Sequence, residues 1–274
     1  MTLTAKSGSV HTHSTCCDGK HTLAEMAESA WAAGVRHFGF SGHSHTPIPT
    51  DADITMTADM TAYRAEILRL REVYAGRMEI LCGLEWDSCA DVDHEGWDYW
   101  IGSVHHIPVG GAIYAVDWNA EALTACRDQA CGGDMLAVAE AYFRRVATVA
   151  AEKPTILGHI DLICKLNGDG ALFDEDAPRY RAAALAALHA ADPAATLLEI
   201  NTGAISRGYR AAPYPAPFLL EEWRRMGGRV ILTADAHSRE TVLFGYDLAA
   251  EVARGAGFRE SWLLTADGAR AVAL

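Results

Sequence analysis

The sequence predicts a single α/β domain built as a parallel (β/α) barrel. Three observations carry that expectation. Short apolar runs alternate with helix-like stretches about seven times along the 274 residues, which is the pattern of parallel βαβ units. Nearly every apolar run ends in a His, Glu or Asp. In a parallel barrel those strand ends share one face, whereas an open doubly wound sheet would gather its chemistry in one crevice. The length and a hydrophobic share of 50% suit one barrel with an ample core.

Taken in order, the first run ends at Ser9-Val10 and delivers His11-Thr12-His13. Residues two apart in an extended segment face the same way, so both imidazoles reach one point, as a metal requires. Asp18 follows. Thr22-Leu-Ala-Glu25 is a capping box that opens a helix to Gly34, striped by Leu23, Met26, Ala27, Ala30 and Trp31. His37 to His43 reads as a second strand ending in histidine. Residues 44–56 are loop-like, with Pro47, Pro49 and Asp51, and a long helix is expected from about Thr57 to Tyr74, ended by Gly76. Met78 to Glu85 is the third strand, and Asp98 to His105 the fourth, with His106 just beyond.

Residues 107–132 are the least regular part. Gly110-Gly111, Tyr114, Asp117 and Trp118 suggest a loop or lid-like insertion, with a short helix near 119–130. Gly132-Gly133-Asp134 restarts a helix lasting to about Glu152. Thr155 to His159 is the fifth strand and Pro178 to Ala191 a helix. Thr196 to Asn201 is the sixth strand, and Pro215 to Met226 a helix with proline near its first turn. Arg229 to Asp235 is the seventh strand, with His237 two residues later. A helix from Glu240 to Ala256 and a short strand near Ser261–Leu264 close the chain.

Composition narrows the function. The formal net charge is −13 and no basic block exceeds Arg224-Arg225, so a nucleic-acid surface is not expected. No apolar run reaches the ~18 residues of a membrane span, and residues 1–9 lack the order of a signal peptide. Seven irregularly spaced cysteines do not form a disulfide framework and point to a reduced cytoplasm. A homo-oligomer is compatible with the sequence but not specified by it.

The strand-end candidates are His11, His13, Asp18, His43, Glu85, His105, His159, Asp235 and His237. Imidazole and carboxylate donors without cysteine suit zinc, manganese or iron in a catalytic rather than a thiolate structural site. Nine ligands are too many for one ion. Shared among three divalent ions, they leave open positions and a local charge of about +3 once Asp18, Glu85 and Asp235 are counted, which would draw a small phosphate ester despite the acidic chain. A divalent ion can supply a deprotonated water for in-line attack on phosphorus, so no nucleophilic side chain is required.

In order, His11-Thr-His13, Asp18-Gly19, Phe40-Ser-Gly-His43-Ser, Gly83-Leu-Glu85, Gly102-Ser-Val-His105, Gly158-His159-Ile-Asp-Leu, Glu199-Ile-Asn-Thr202 and Ala234-Asp-Ala-His237 resemble the motif set of the polymerase-and-histidinol-phosphatase (PHP) superfamily. Gly102 to Pro108, Gly158 to Ile163, and Asn201-Thr202 followed by Tyr214-Pro215 are similar to its histidinol-phosphatase branch. The resemblance implies a distorted seven-stranded (β/α) barrel spanning residues 1–274, with a trinuclear centre. One ion would take His11, His13, Glu85 and Asp235, a second Glu85, His105 and His159, and the third Asp18, His43 and His237. The implied reaction is hydrolysis of L-histidinol phosphate to L-histidinol and phosphate, in histidine biosynthesis. Another PHP phosphoesterase, acting on a nucleotide or sugar phosphate, is the alternative. A nuclease and a non-catalytic metal-binding regulator are the remoter ones.

Gly42 stands where the family often has Asp, at a position that is not a ligand. The family places a basic residue within the segment that here carries Arg207 and Arg210. Arg207 is expected to bind phosphate, with Lys165 as a second candidate and His106 either facing substrate or simply packing. His237 or a metal-bound water is the expected proton donor to the leaving oxygen, beside Glu85 and Asp235 as catalytic ligands. Bland expectations cover the rest. Cys16 and Cys17 are small buried fillers. Asp87, Asp91, Asp93 and Glu95 form a solvated acidic loop. Trp86, Trp97, Trp100 and Trp118 pack in the core. His21, His37, His45, His94 and His189 are surface or capping residues.

Overall fold

The structure, a computed structural model, describes residues 3–48, 56 and 59–274. Seven parallel strands form the barrel wall in sequential order: β1 (Gly8–Ser9), β2 (His37–Phe40), β3 (Glu79–Asp87), β4 (Tyr99–Ser103), β7 (Ile156–Leu157), β8 (Leu197–Asn201) and β9 (Arg229–Thr233). The wall closes above β1 and β9, where Ala236 N donates to His11 O at 3.0 Å and His13 N to Ala236 O at 2.9 Å. Two of the seven strands, β1 and β7, are only two residues long, so the barrel is distorted rather than regular. At the opposite end β10 (Glu260–Thr265) pairs once in parallel with β9 and then antiparallel with β11 (Gly268–Ala273).

The connections are helical: α1 (Leu23–Ala32), α2 (Met60–Val73), α3 (Ala120–Ala130), α4 (Met135–Ala151), α5 (Pro178–His189), α6 (Gly203–Ser206), α7 (Pro217–Arg225) and α8 (Tyr246–Gly255). Their starts follow local chemistry. Thr22 and Glu25 make the expected reciprocal capping box, Asp134 caps α4 through Leu136 N, and Pro178 and Pro217 open their helices. The expected start of the second helix near Thr57 lies outside the described residues. None of the described helices is long and apolar enough to cross a membrane.

Two apolar layers hold the barrel. The larger lies between strands and helices. The smaller fills the barrel below the site with Val10, Leu81, Tyr99, Ile101, Ile156, Leu197, Ile231 and Leu264. Tyr99 crosses that interior, and its hydroxyl donates toward Val10 O and Phe40 O. A Cβ on Gly83 would stand 2.3 Å from the Tyr99 ring, so only glycine fits beneath it.

Three expectations need correction. The lid-like loop is an antiparallel hairpin, β5 (His106–Val109) and β6 (Ala112–Ala115), turned at Gly110-Gly111 and followed by α3. Both of those glycines have positive φ, which a two-residue hairpin turn requires. Ile107, Val116, Leu123 and Cys126 bury this insertion in the main core. The terminal strand is likewise half of a hairpin, since β11 follows it. The four tryptophans expected there do not fill the core: Trp86 and Trp97 are half-buried at its margin, Trp100 stacks on His94, and Trp118 is 45% exposed.

Candidate metal centre

The strand order brings the sequence-predicted residues to one end of the barrel. His11 and His13 leave β1, His43 follows β2, Glu85 sits in β3, His105 follows β4, His159 follows β7, and Asp235 and His237 follow β9. Parallel strands place these ends side by side. Asp18 reaches the same point from the turn that Gly19 packs against Ser14.

Glu85 is the hub. Its Oε2 lies 3.2 Å from His11 Nε2, 3.3 Å from His13 Nε2 and 3.1 Å from His43 Nδ1, and its Oε1 lies 3.4 Å from His105 Nε2 and 2.9 Å from His159 Nε2. Asp235 Oδ1 stands 3.2 Å from His13 Nε2, and Asp18 Oδ2 3.1 Å from His237 Nε2. Donor atoms within 4.8 Å of one another fall into four overlapping groups: His13, Asp18, His43 and His237; His11, His13 and Asp235; His11, Glu85 and His159; and His43, Glu85 and His105. His105 and His159 therefore meet through Glu85 rather than in one group of their own.

The donor set tests whether cations belong there. His11 Nε2, His13 Nε2, Asp18 Oδ1, His43 Nδ1 and Glu85 Oε2 are buried and have no hydrogen-bond partner among the described residues. Buried polar atoms without partners are costly and rare, and here five of them converge. Asp18, Glu85, Glu199 and Asp235 also bring four carboxylates into or beside the cluster. Such a site needs cations, and imidazole with carboxylate suits divalent zinc, iron or manganese. The residues present fit metal ions.

Protonation follows the same charges. Burial works against a charged His11, yet Glu199, Glu85 and Asp235 together hold its pKa well above the ordinary value. His105 is likewise raised against burial, to about 10, by Glu85 and Asp87. Burial and the neighbouring His237 and His43 push His13 down to about 3. Burial opposes ionisation of Glu85 and Asp235, but His11 and His43 around the first, and Arg207 and His11 around the second, hold both well below the carboxylate range.

Two orienting carboxylates have no role in the sequence reading. Glu199 in β8 places Oε1 2.5 Å from His11 Nδ1 and 2.7 Å from the Thr233 hydroxyl, while Oε2 accepts from His159 N and Asn201 Nδ2. Its signals were the motif Glu199 to Thr202, quoted above without a role for the glutamate, and a lone acid inside the apolar run Leu197 to Ile200. Asp87, expected to be solvated, is buried; its Oδ2 accepts from His105 N at 2.7 Å and lies 3.3 Å from His105 Nδ1. It continues β3 beyond Glu85, and strand pairing rather than water surrounds it. Each carboxylate fixes a ring so that the other nitrogen faces the cluster.

Asp235 has a left-handed backbone, φ 49°, a conformation that Asp tolerates better than most residues. Cys17, expected as a buried filler, is half-buried with Sγ 3.6 Å from His13 Nδ1.

A cavity of about 40 Å³ opens onto the centre. It is lined by Asp18, His43, Glu85, His105, His159, Asp235 and His237, together with Asp117, Leu162, Lys165 and Arg207. His11 and His13 do not line it. Arg207 donates to Asp235 Oδ2 at 3.0 Å and lies 2.7 Å from His237 Nδ1. Arg210 instead turns to Glu175 and Cys164 O. Lys165 Nζ bonds Asp117 Oδ2 at 2.8 Å. His106 does not line the cavity; it is buried, its Nδ1 3.8 Å from Asp87 Oδ1. Successive strand residues face opposite ways, so His105 and His106 cannot both enter. A groove of about 580 Å³ lies at the far end of the barrel and touches none of these ligands.

Residues 9–203 match the PHP domain family. The chain is 30% identical over 273 residues to the "Probable histidinol-phosphatase" of Deinococcus radiodurans, covering 91% of this chain and 93% of that one. It is 26% identical over 269 residues to the histidinol-phosphatase of Bacillus subtilis, covering 88% and 97%. The fold is shared with the crystal structure of a histidinol phosphate phosphatase from Lactococcus lactis complexed with zinc, L-histidinol and phosphate, with a TM-score of 0.73, 19% identity, and 97% and 99% of the two chains covered.

Proposed function

The chain belongs to the PHP domain family, and from that premise we propose that it is a metal-dependent phosphomonoesterase that hydrolyses L-histidinol phosphate to L-histidinol and phosphate. The observation that carries this reading is the convergence of unpartnered, buried imidazole and carboxylate atoms around Glu85, beside a cavity that also holds Lys165 and Arg207. Relatives named as histidinol-phosphatases along nearly the whole chain supply the substrate. Seven free cysteines suit an enzyme of the reducing cytoplasm.

We assign three divalent ions, of zinc, iron or manganese, to the nine ligands. His11, His13, Asp235 and Glu85 would hold the first, Glu85, His105 and His159 the second, and Asp18, His43 and His237 the third. Bound there, such ions polarise phosphoryl oxygens and make water a nucleophile at neutral pH. The chain does the rest. Glu199 and Asp87 hold the rings of His11 and His105 in register. Arg207, with two donors already at the cavity, binds the phosphate, and Lys165 adds a second cation. For the proton given to the leaving oxygen we nominate His237, which lines the cavity, or a water in its place.

The test is phosphate release from L-histidinol phosphate beside p-nitrophenyl phosphate, before and after chelation. Strong preference for L-histidinol phosphate, lost with chelator and restored by zinc or manganese, is expected. Metal-dependent release from p-nitrophenyl phosphate alone would overturn the substrate and leave another small phosphate ester in its place.

A further inference from the structure

We propose that Asp117 selects phosphomonoesters whose alcohol carries a cationic amine, by accepting that amine's hydrogen bond at Oδ1. This deepens the proposed function and rests on it. Four carboxylates line the catalytic cavity: Asp18, Glu85, Asp117 and Asp235. Three of them belong to groups of metal-ligating donors, and Asp117 belongs to none. It is 6% exposed, and its two oxygens differ. Oδ2 takes Lys165 Nζ at 2.8 Å, whereas Oδ1 is buried and has no hydrogen-bond partner among the described residues.

A phosphate group gives no reason for that arrangement. An anion bound among the cations of this cavity is repelled by an extra carboxylate, and an unpartnered buried oxygen is costly to keep. Both costs vanish when the substrate itself brings a donor with positive charge. A lysine counter-ion alone is served by Oδ2, which leaves Oδ1 for the ligand. In L-histidinol phosphate the ammonium sits on the carbon next to the ester methylene, so it enters with the phosphate.

The cavity of about 40 Å³ is narrow, so the phosphate and amine are placed inside it and the rest of such a molecule farther out. That part is placed toward the mouth, and two exposed aromatics neighbour residues of the lining. Trp118 follows Asp117 in the chain and is 45% exposed; Tyr209 is 44% exposed, its ring 5.1 Å from Lys165 Nζ. They offer flat faces for a ring on the amine-bearing alcohol.

The experiment measures kcat/KM of the metal-loaded protein on two substrate pairs that differ only by an amine. One is L-histidinol phosphate with 3-(imidazol-4-yl)propyl phosphate, the other O-phosphoethanolamine with ethyl phosphate. A charge-assisted hydrogen bond predicts a preference of about 10- to 100-fold for the amine in each pair, collapsing toward one in Asp117→Asn. A wild-type ratio near one overturns the proposal, and that measurement needs no variant to fold. So does a ratio that survives Asp117→Asn, or one that collapses equally in Lys165→Met, which would make Asp117 only the anchor of that lysine. If L-histidinol phosphate proves a poor substrate while the ethanolamine pair keeps its ratio and loses it in Asp117→Asn, the proposed substrate falls and the role of Asp117 stands.

Discussion

Glu199 Oε1 lies 2.5 Å from His11 Nδ1, in a barrel interior where neither residue has measurable exposure. The contact fixes one nitrogen of the ring as donor to Glu199 and leaves Nε2 toward Glu85 and Asp235. Glu199 ligates nothing itself, since its other contacts are Thr233, Asn201 and His159 N. It acts on the metal centre only through the ring that it aims.

Glu199→Gln keeps the shape and removes the charge. Metal affinity is expected to fall about 10- to 100-fold, the usual effect of losing a partner behind a ligating histidine, while far-UV circular dichroism stays as in the wild type. Zinc titration against a competing chelator reads the change. An unaltered affinity would show that His11 is held by its neighbours alone.

Chelation should destabilise the whole barrel. Removing cations leaves the buried atoms around Glu85 without partners, and a ligand at about 1,000 times its Kd contributes about 4 kcal/mol to the folded state. For a chain of this length that corresponds to a fall in Tm of about 10 °C. Tm should rise with free zinc concentration when the metal is returned. A Tm indifferent to chelator would mean that the cluster is neutralised by protons instead.

Arg207 and Arg210 separate the two arginines of one loop. Arg207→Ala is expected to raise KM about tenfold or more, as loss of a charge-assisted phosphate contact does. Arg210→Ala breaks the bond to Glu175 and should change KM less than threefold. Steady-state kinetics on both variants decides; equal effects would place the phosphate elsewhere.

How much of this was legible follows from what each residue does locally. Strand-end residues stand out because period-two alternation and the strand–helix rhythm place them before any fold is known. Glu199 and Asp87 do not, because a carboxylate that aims a ring and one that binds an ion have the same local pattern. Only the third dimension brings Glu199 to His11, 188 residues away. The β5–β6 hairpin did leave a sign, Gly110-Gly111 between apolar pairs, but the surrounding irregularity read as loop. β11 left none, since Gly268 to Ala273 is mostly exposed and lacks alternation. For Arg207 against Arg210, the deciding fact is the position of Glu175, which pairing in space alone supplies.

Acid stability carries a mark of the Asp117–Lys165 pair. Burial works against the Asp117 carboxylate, yet Lys165 and His105 hold its pKa at about 2, below the ordinary 3.8. A depressed carboxylate contributes stability that is present above its unfolded value and lost as the pH falls through the folded one. The window is therefore about pH 4 to 2, and the contribution about 2 kcal/mol. Urea unfolding should show that Asp117→Asn flattens the stability curve in that window. A slope equal to the wild type's would mean that the pair is open in solution.

Gly203 tests how tightly Asp235 is set. Gly203 opens α6, directly after β8, and a Cβ there would stand 2.5 Å from Asp235 Oδ2 and 2.7 Å from its Cβ. Real Cβ atoms do not approach so closely, so Gly203→Ala must push the Asp235 carboxylate aside. Overpacking of this kind costs about 1–3 kcal/mol of stability, which a barrel of this size survives. A ligand displaced by about 1 Å costs about 100-fold in rate, so activity should fall far more than Tm. Metal content measured on the same sample separates the two routes: reduced occupancy means that Asp235 has left its ion, and full occupancy with low kcat means that the ion has moved with it. Retained activity would show that the loop before α6 yields instead, and that Asp235 is less tightly placed than its left-handed backbone implies.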